Sequence, residues 1–346
     1  MKIINAMFSK VNGGVEQVFL NYTEVLHSFG HEIIPVIHPW SQIKKSCTGT
    51  QVQTLFSYGR NDFLAVYRLR QLISRIKPSC IITHTKRAAL LFDKTKTRVP
   101  KIAVCHTIES YPELLNASDA IIAITETMYQ EIMSYGEPEK KIYTVPNMVS
   151  VPNNLIYREP QSSAVPTIGA SARFSELKGL DVFIDALALL KQKGILFKAK
   201  IAGDGKQKKQ YLKMLRDRGL QNDVTLLGWI EDKQKFYNSL DIFCHPSLKE
   251  SFGLVVVESM MYSLPMVLTQ ISGPMEIVGD TECAIMVPPA DPVSLAQGLE
   301  RLIEDNNLAK KLAYNGFLRA DYYSSDKVGP LLNKVMEELC AAGVNE

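Results

Sequence analysis

Short β-branched segments alternate with amphipathic segments along both halves of this sequence, and no other feature constrains the fold as strongly. The first strand is predicted at KIINAMF, residues 2–8. The loop SKVNGG then leads into a helix whose apolar residues recur at helical spacing as far as Gly30, which fits a helix C-terminus. The same alternation restarts at TIGASARF, residues 167–174. This pattern is typical of parallel α/β sheets, and 346 residues are too many for one ordinary core.

The alternation breaks between residues 151 and 166. The segment VPNNLIYREPQSSAVP contains Pro, Asn and Ser and has no clear periodicity, which is typical of an interdomain connection. We therefore predict an α/β protein of two doubly wound, Rossmann-like domains that face a central cleft. In such sheets the carboxyl ends of the strands carry the ligand crevice, so the two crevices would open onto the same cleft.

Composition argues against several other classes of protein. No apolar run approaches the roughly 18–20 residues that span a bilayer, and the N-terminus lacks the features of a signal peptide. The six cysteines are scattered without a CxxC pair, as in a reduced cytosolic protein, so neither a metal site nor a disulfide framework is indicated. No dense cationic run with interleaved aromatics suggests nucleic acid.

Charge is distributed unevenly between the two halves. Residues 1–158 carry 18 Lys and Arg against 12 Asp and Glu, whereas residues 159–346 carry 21 against 24. Two interpretations stay open. The difference is an ordinary fluctuation, or the first half meets an anionic acceptor or a membrane surface.

Two loops have the composition of a phosphate site. Gly13 and Gly14 lie between the first strand and the first helix, where free backbone N–H groups form an anion site. In the second half, Arg173 follows a strand and Lys178 precedes a helix, so two cations can converge on one diphosphate. Each signal alone is weak, because glycine pairs and surface cations are common, and both GxGxxG and Walker A motifs are absent.

The segment ESFGLVVVES, residues 250–259, strengthens this interpretation. Gly253 is predicted near a helix N-terminus, whose amides attract phosphate. Glu250 precedes that turn and is placed to accept hydrogen bonds from hydroxyl groups. Glu258 lies about two turns further along an apolar helix, where a carboxylate is tolerable if it accepts from a vicinal diol such as a ribose. The alternative is that Glu250 is a capping acid and Glu258 an exposed helix residue.

The segment around these two glutamates resembles part of a known family. HPSLKESFGLVVVESMMYSLPMV, residues 245–267, resembles the Glu-x7-Glu segment of the retaining GT-B glycosyltransferases of family 4 (glycosyltransferase group 1 type). KVNGGVEQVFL, SARFSELKGLDVFIDAL and ISGPMEIVGDTECAIMV are similar to further segments of that family and occur in the family's order. The resemblance implies an N-terminal acceptor-side domain over 1–155, a donor-binding domain over 156–325 and a C-terminal helix over 326–346 that crosses back to the first domain.

The resemblance also implies roles for individual residues. Glu250 would hold hydroxyls of the donor sugar, Glu258 the ribose, and Arg173 and Lys178 the diphosphate. His106 falls where the family places a His near the reacting sugar, although a structural strand-end histidine is a serious alternative. His84 and His245 are interpreted as structural. The remaining donor-binding candidates lie in the glycine loop, in the loop GWI that would face the base, and around the start of the Glu-x7-Glu helix: Gly13, Gly14, Trp229, Ile230, Ser251, Phe252, Gly253, Leu254 and Val255.

The expected activity is transfer of a sugar, with retention of configuration, from a nucleotide-diphosphate sugar to a hydroxyl of a glycan or glycolipid, in assembly of lipopolysaccharide or a surface polysaccharide. No metal or other cofactor is expected, and the sequence does not decide whether the nucleotide of the donor is UDP or GDP. The expected setting is cytoplasmic, as a monomer or weak oligomer, with peripheral contact with the inner membrane left open. Two alternatives are a non-hydrolysing nucleotide-sugar epimerase and a non-catalytic GT-B subunit.

Overall fold

The chain forms two compact units in the structure, a computed structural model that describes residues 1–47, 50–136, 139–150 and 155–342. Unit 1 comprises Met1–Ser150 together with Tyr323–Glu346, and unit 2 comprises Val151–Tyr322. Residues 151–154, where the interdomain segment was predicted to begin, and 343–346, the end of the predicted last helix, lie outside the described residues.

Unit 1 is built around one parallel sheet. Its strands along the chain are β1 (Lys2–Met7), β2 (Glu32–Ile37), β3 (Gln53–Thr54), β4 (Cys80–Thr83), β5 (Lys101–Cys105), β6 (Ala120–Ala123) and β7 (Lys141–Thr144). They are arranged in the order β3-β2-β1-β4-β5-β6-β7, and every pair is parallel. The order reverses direction between β1 and β4, which makes this the switch point of the sheet.

Helices connect these strands, and each helix packs on the sheet because it carries one apolar face. They are α1 (Gly14–Ser28), α2 (Phe63–Ile76), α3 (Lys86–Asp93), α4 (Tyr111–Ala117) and α5 (Glu126–Ser134). The strands are apolar almost throughout, as expected when helices cover both faces of a parallel sheet. One exception is Asn5 in β1, whose Nδ2 donates to the Phe19 carbonyl at 3.1 Å and to Thr23 Oγ1 at 3.0 Å. These bonds satisfy the Nδ2 group, whereas the buried Oδ1 of Asn5 has no hydrogen-bond partner among the described residues.

The last helix, α13 (Ser325–Ala342), packs within unit 1 against α1. Gly329 lies against Val25 of α1 and against Phe29, the residue that follows α1. A Cβ on Gly329 would come within 2.8 Å of Val25 Cγ1. His31 Nε2 and Asn333 Oδ1 are 2.6 Å apart, and Lys141 pairs with Glu338 at 2.7 Å. The described part of the predicted C-terminal helix is therefore attached to the N-terminal sheet by close packing and polar contacts.

Unit 2 repeats the arrangement with six strands: β8 (Thr167–Ser171), β9 (Lys198–Ala202), β10 (Val224–Gly228), β11 (Ile242–His245), β12 (Met266–Thr269) and β13 (Ile285–Val287). Their order is β10-β9-β8-β11-β12-β13, all parallel, with the switch point between β8 and β11. The connecting helices are α6 (Leu180–Gln192), α7 (Lys208–Asp217), α8 (Lys233–Tyr237), α9 (Leu254–Met261), α10 (Ser272–Val278), α11 (Pro292–Glu304) and α12 (Asn306–Ala320).

A large apolar core joins α6 and α11 to the sheet of unit 2. The prediction of two doubly wound, Rossmann-like units is thus confirmed. Among the described residues, no helix is both long enough and apolar enough to cross a membrane.

Candidate active site

The switch point of the unit 2 sheet brings together the loops that follow β8 and β11. Leu248 N donates to the Leu177 carbonyl at 2.9 Å, so the two loops share a backbone hydrogen bond. Gly179 has φ +58°, and a Cβ there would lie 2.0 Å from the Pro246 carbonyl oxygen. Only glycine allows the two loops to approach this closely. The loops therefore hold their side chains in fixed positions at the carboxyl edge of the sheet.

Lys178 and Glu250, one from each loop, meet at this edge. Lys178 Nζ lies 2.5 Å from Glu250 Oε2, and the two side chains are 23% and 21% exposed. The backbone carbonyl of Glu250 accepts from Gly273 N at 3.2 Å and from Ser272 Oγ at 3.3 Å, which fixes the loop that carries the carboxylate. A charge pair of this exposure is accessible to a ligand and sits in a medium less polar than water.

The N-terminus of α9 faces the same group. Gly253 precedes the helix with φ +104°, a conformation that favours glycine, and its side-chain-free position leaves the helix start uncapped apart from the bond of Val256 N to the Gly253 carbonyl at 2.9 Å. A Cβ at position 253 would lie 3.4 Å from Glu250 Cγ and 3.8 Å from His245 Nε2. The free helix end, the carboxylate and the imidazole therefore surround one small space.

His245 is buried beside this space. Its Nε2 lies 3.8 Å from Glu250 Oε2 and has no hydrogen-bond partner among the residues that the structure describes. Burial lowers the pKa of the imidazole to about 4, while the Glu250 carboxylate opposes that shift. The ring is therefore neutral at neutral pH and presents an unused polar nitrogen at the start of α9.

Glu258 forms a second group, further along α9. The carboxylate is buried, with its Oε1 2.5 Å from Lys233 Nζ and its Oε2 accepting from the Tyr237 hydroxyl at 2.7 Å. Burial, together with the carboxylate, raises the pKa of Tyr237 well above its usual value. Both oxygens thus have a donor before any ligand arrives, and the spare lone pairs remain able to accept from a diol.

The other predicted residues of unit 2 lie at the same sheet edge but outside these two groups. Arg173 follows β8, is exposed, and its side chain forms no hydrogen bond or ion pair with any described residue. Trp229 and Ile230 follow β10, and Trp229 is 54% exposed. Ser251 and the buried Phe252 precede α9, whose first turn contains the half-buried Leu254 and Val255.

In unit 1 the predicted residues also lie at the carboxyl edge of the sheet. Gly13 precedes α1 and the exposed Gly14 is its first residue, a short loop after the end of β1 at Met7. His106 follows β5, and its Nε2 is 3.3 Å from Nδ1 of the buried His84, with the two rings stacked at 5.5 Å. Burial lowers the pKa of both imidazoles. The pair is therefore neutral, with one ring donating a hydrogen bond to the other.

Sequence reasoning missed several residues of these groups. Lys233 and Tyr237 are not singled out in the sequence, whereas the interpretation of His84 and His245 as structural stays a prediction. Their spacing of four does place Lys233 and Tyr237 on one face of a helix. Nothing in the sequence indicates that this face meets a carboxylate more than 20 positions away in the chain.

We expect His245 to make the protein sensitive to acid. The folded protein holds its pKa near 4 and the unfolded chain near the ordinary value of about 6.5, so protonation favours unfolding. The stabilisation is complete above about pH 6.5 and is lost as the pH falls towards 4, by about 2 kcal/mol at pH 5. Urea unfolding of His245→Asn should therefore show a smaller drop between pH 7.5 and pH 5 than the unsubstituted protein. His27→Asn, at an exposed position in α1, should keep the full drop, and an unchanged drop in His245→Asn would contradict the assignment.

Two family models match the chain in sequence. Residues 12–151 match the one described as Glycosyltransferase Family 4, and residues 158–319 match the one described as Glycosyl transferases group 1. Together they span most of both units.

Individual relatives match over nearly the whole chain. The lipopolysaccharide core biosynthesis glycosyltransferase LpsE of Rhizobium meliloti is 25% identical over 325 residues, covering 91% of this chain and 93% of its own. Alpha-D-kanosaminyltransferase of Streptomyces kanamyceticus is 23% identical over 314 residues, covering 86% and 78%. The crystal structure of Anabaena Alr3699/HepE in complex with UDP and glucose superposes with a TM-score of 0.84 at 19% identity, covering 98% of this chain and 100% of that one. The last likeness establishes the GT-B fold.

Proposed function

We propose a function for this chain, which belongs to the group 1 and family 4 glycosyltransferases. It transfers a sugar from a UDP-sugar to a hydroxyl group with retention of configuration. The observation that carries the proposal is the meeting of Lys178, Glu250, His245 and the free end of α9 at the switch point of unit 2. Doubly wound sheets bind their ligands at such a point. A cation and the amides at the start of a helix suit a diphosphate.

Each group in this site has a part in the proposed reaction. Breaking the bond between sugar and diphosphate leaves negative charge on the leaving phosphate, and positive groups already in place stabilise that charge. Lys178 supplies a cation that Glu250 holds in place, the exposed Arg173 supplies a second cation, and the first turn of α9 supplies N–H donors. Because an ammonium has three donors, Lys178 can keep its bond to Glu250 while it binds a phosphate oxygen.

The two carboxylates hold sugars in this proposal. Glu250 accepts hydrogen bonds from hydroxyls of the donor sugar, and Glu258 accepts from the ribose diol while Lys233 and Tyr237 hold its carboxylate in position. The exposed Trp229 and the half-buried Ile230 border the base. The leaving phosphate accepts the proton of the attacking hydroxyl, so no protein nucleophile is assigned. The cations and amides perform the neutralisation that a metal performs in other transferases, and we propose that no metal or cofactor is required.

The acceptor side is assigned to unit 1. Gly13, Gly14 and His106 lie at the carboxyl edge of its sheet, where a donor sugar and an acceptor hydroxyl would be presented. The relative named for lipopolysaccharide core biosynthesis suggests an acceptor of the same kind, a growing glycan or glycolipid. The similar solved structure bound to UDP and glucose suggests UDP as the nucleotide of the donor. The reaction would take place in the cytoplasm, where nucleotide sugars are available.

A thermal-shift panel of nucleotides and nucleotide sugars tests the proposal. A ligand at about 100 times its Kd stabilises the native protein by about 2.7 kcal/mol. For a unit the size of unit 2, this corresponds to an increase in Tm of about 5–10 °C. We expect UDP and a subset of UDP-sugars to produce this shift, and a panel with no shift for any nucleotide would contradict the proposal.

Product analysis then distinguishes transfer from the epimerase alternative. The protein is incubated with the stabilising nucleotide sugar, with and without a mixture of glycan acceptors. Transfer predicts consumption of the donor that depends on an acceptor and a product in which the anomeric configuration is retained. Inversion of a ring carbon in the donor alone would instead support the epimerase.

A further inference from the structure

Five large apolar side chains are exposed close together along unit 1. They lie in the loops that follow β2 and β3 and in the first two turns of α2: Trp40 (65% exposed), Tyr58 (88%), Phe63 (85%), Leu64 (56%) and Tyr67 (57%). Scattered exposed apolar residues are ordinary, but a group of them marks a site of contact. None of the five belongs to the donor site proposed above, so this group needs another explanation.

The group is held in a defined arrangement. Ring contacts run from Trp40 to Phe56, with centroids 5.4 Å apart, and from Phe56 to Tyr58 at 4.7 Å. Asp62 joins this loop to α2, since its Oδ2 accepts from Tyr58 N at 2.8 Å and its Oδ1 caps the helix at Ala65 N. The exposed rings therefore project from an ordered turn, and little conformational entropy is lost when they bind.

Basic side chains occur in the same segments as these rings. Lys10 Nζ lies 4.8 Å from the centre of the Trp40 ring, and Lys44, Lys45, Arg60 and Arg68 are all exposed. Residues 38–101 carry 13 Lys and Arg against two Asp and Glu, a net charge of +11 in a chain whose total is +3. The five apolar residues and these five cations together are called the aromatic–basic surface below.

We propose that the aromatic–basic surface docks the protein on an anionic lipid bilayer. Tyr and Trp rings favour the boundary between headgroups and acyl chains, and Lys and Arg are attracted by anionic headgroups. The exposed Leu64 favours a bilayer over a saccharide or a nucleic acid, because an aliphatic side chain offers no ring for a sugar or a base to stack on. The inference rests on the proposed function in that a glycolipid acceptor is presented at such a bilayer.

Co-sedimentation with vesicles tests this inference in the absence of nucleotide and acceptor. We expect the full chain to bind vesicles of phosphatidylglycerol and phosphatidylethanolamine and to bind phosphatidylcholine vesicles far more weakly. Each cation near an anionic surface contributes about fivefold, so Arg60→Gln with Arg68→Gln should weaken binding about 25-fold. Phe63→Ser with Tyr67→Ser should weaken it about tenfold or more. The matched control is Leu196→Ser with Leu318→Ser, two apolar residues of unit 2 at 66% and 55% exposure, and its binding should not change.

Three outcomes would overturn the inference. They are the absence of binding to anionic vesicles, equal weakening in the control, and vesicle binding that survives both double variants. If soluble heparin captured the protein while vesicles did not, the partner would be a polyanionic glycan instead. The thermal shift by UDP-sugars is measured on the same variants. A protein that binds nucleotide sugar but no vesicle would refute only the docking surface, and one that binds vesicles but no nucleotide would refute only the proposed function.

Discussion

Replacing Lys178 with alanine is expected to lower kcat/KM for sugar transfer by about 100- to 1000-fold. Loss of one fixed positive group that faces a developing negative charge typically costs this much. The substitution also leaves Glu250 without the cation that lies 2.5 Å from it in the free protein. Lys178→Arg keeps the charge but alters the geometry, so it should recover part of the activity. Steady-state kinetics with the UDP-sugar identified by thermal shift compares the unsubstituted protein with both variants.

Lys213→Ala is the matched control for this experiment. Lys213 lies in the same unit and pairs with Asp217 on the surface of α7, so its loss removes an ion pair away from the switch point. Activity within a factor of two of the unsubstituted protein is expected. Arg173→Ala should resemble Lys178→Ala, because both cations are assigned to the diphosphate. A fully active Lys178→Ala protein with an unchanged Tm would remove Lys178 from the mechanism.

Replacing Glu258 with alanine has the second large effect, and this one appears in stability as well as in binding. The buried Tyr237 hydroxyl loses its acceptor and Lys233 loses its counter-ion. A buried donor left without a partner costs about 1–3 kcal/mol, which lowers Tm by about 2–12 °C for a unit of this size. The ribose loses its acceptor in the same variant, so the KM for the donor should also rise.

Glu258→Gln separates the two effects. The amide oxygen can still accept from Tyr237, so most of the stability should return, whereas the negative charge that Lys233 and a ribose diol prefer is lost. Glu282→Ala, which removes an exposed carboxylate paired with Lys311, should leave both Tm and KM unchanged. Calorimetric melting and donor titrations measure the set. A Glu258→Ala protein as stable as the control would show that the buried pair contributes nothing to folding.

Much of the fold could be predicted from the sequence because two periodic signals agree. Strands such as CIIT (80–83) and IFCH (242–245) are buried along their whole length and mostly apolar, and helices such as α6 carry a clear apolar face. The glycines that shape the site were harder to interpret. Gly179 is required because of a carbonyl at Pro246, and no pattern in either loop indicates that the two loops meet.

Less of the candidate site could be predicted, for a physical reason. Spacing indicates that Glu250 and Glu258 share one helix and its approach, but the partners of each come from other elements. Lys178 meets Glu250 because β8 and β11 are neighbours in the sheet. The exposed rings of the aromatic–basic surface were also missed, since exposure of Tyr58 and Phe63 depends on the turn at Asp62 rather than on composition.

The central claim is that unit 2 binds the diphosphate of a nucleotide, and isothermal titration calorimetry with uridine, UMP and UDP tests it most directly. If Lys178, Arg173 and the start of α9 bind the diphosphate, the affinity should rise by at least tenfold from UMP to UDP. Uridine should bind more weakly than either nucleotide. Lys178→Ala should remove most of the gain from UMP to UDP. Equal affinity for all three ligands, or a gain that Lys178→Ala leaves intact, would contradict the claim.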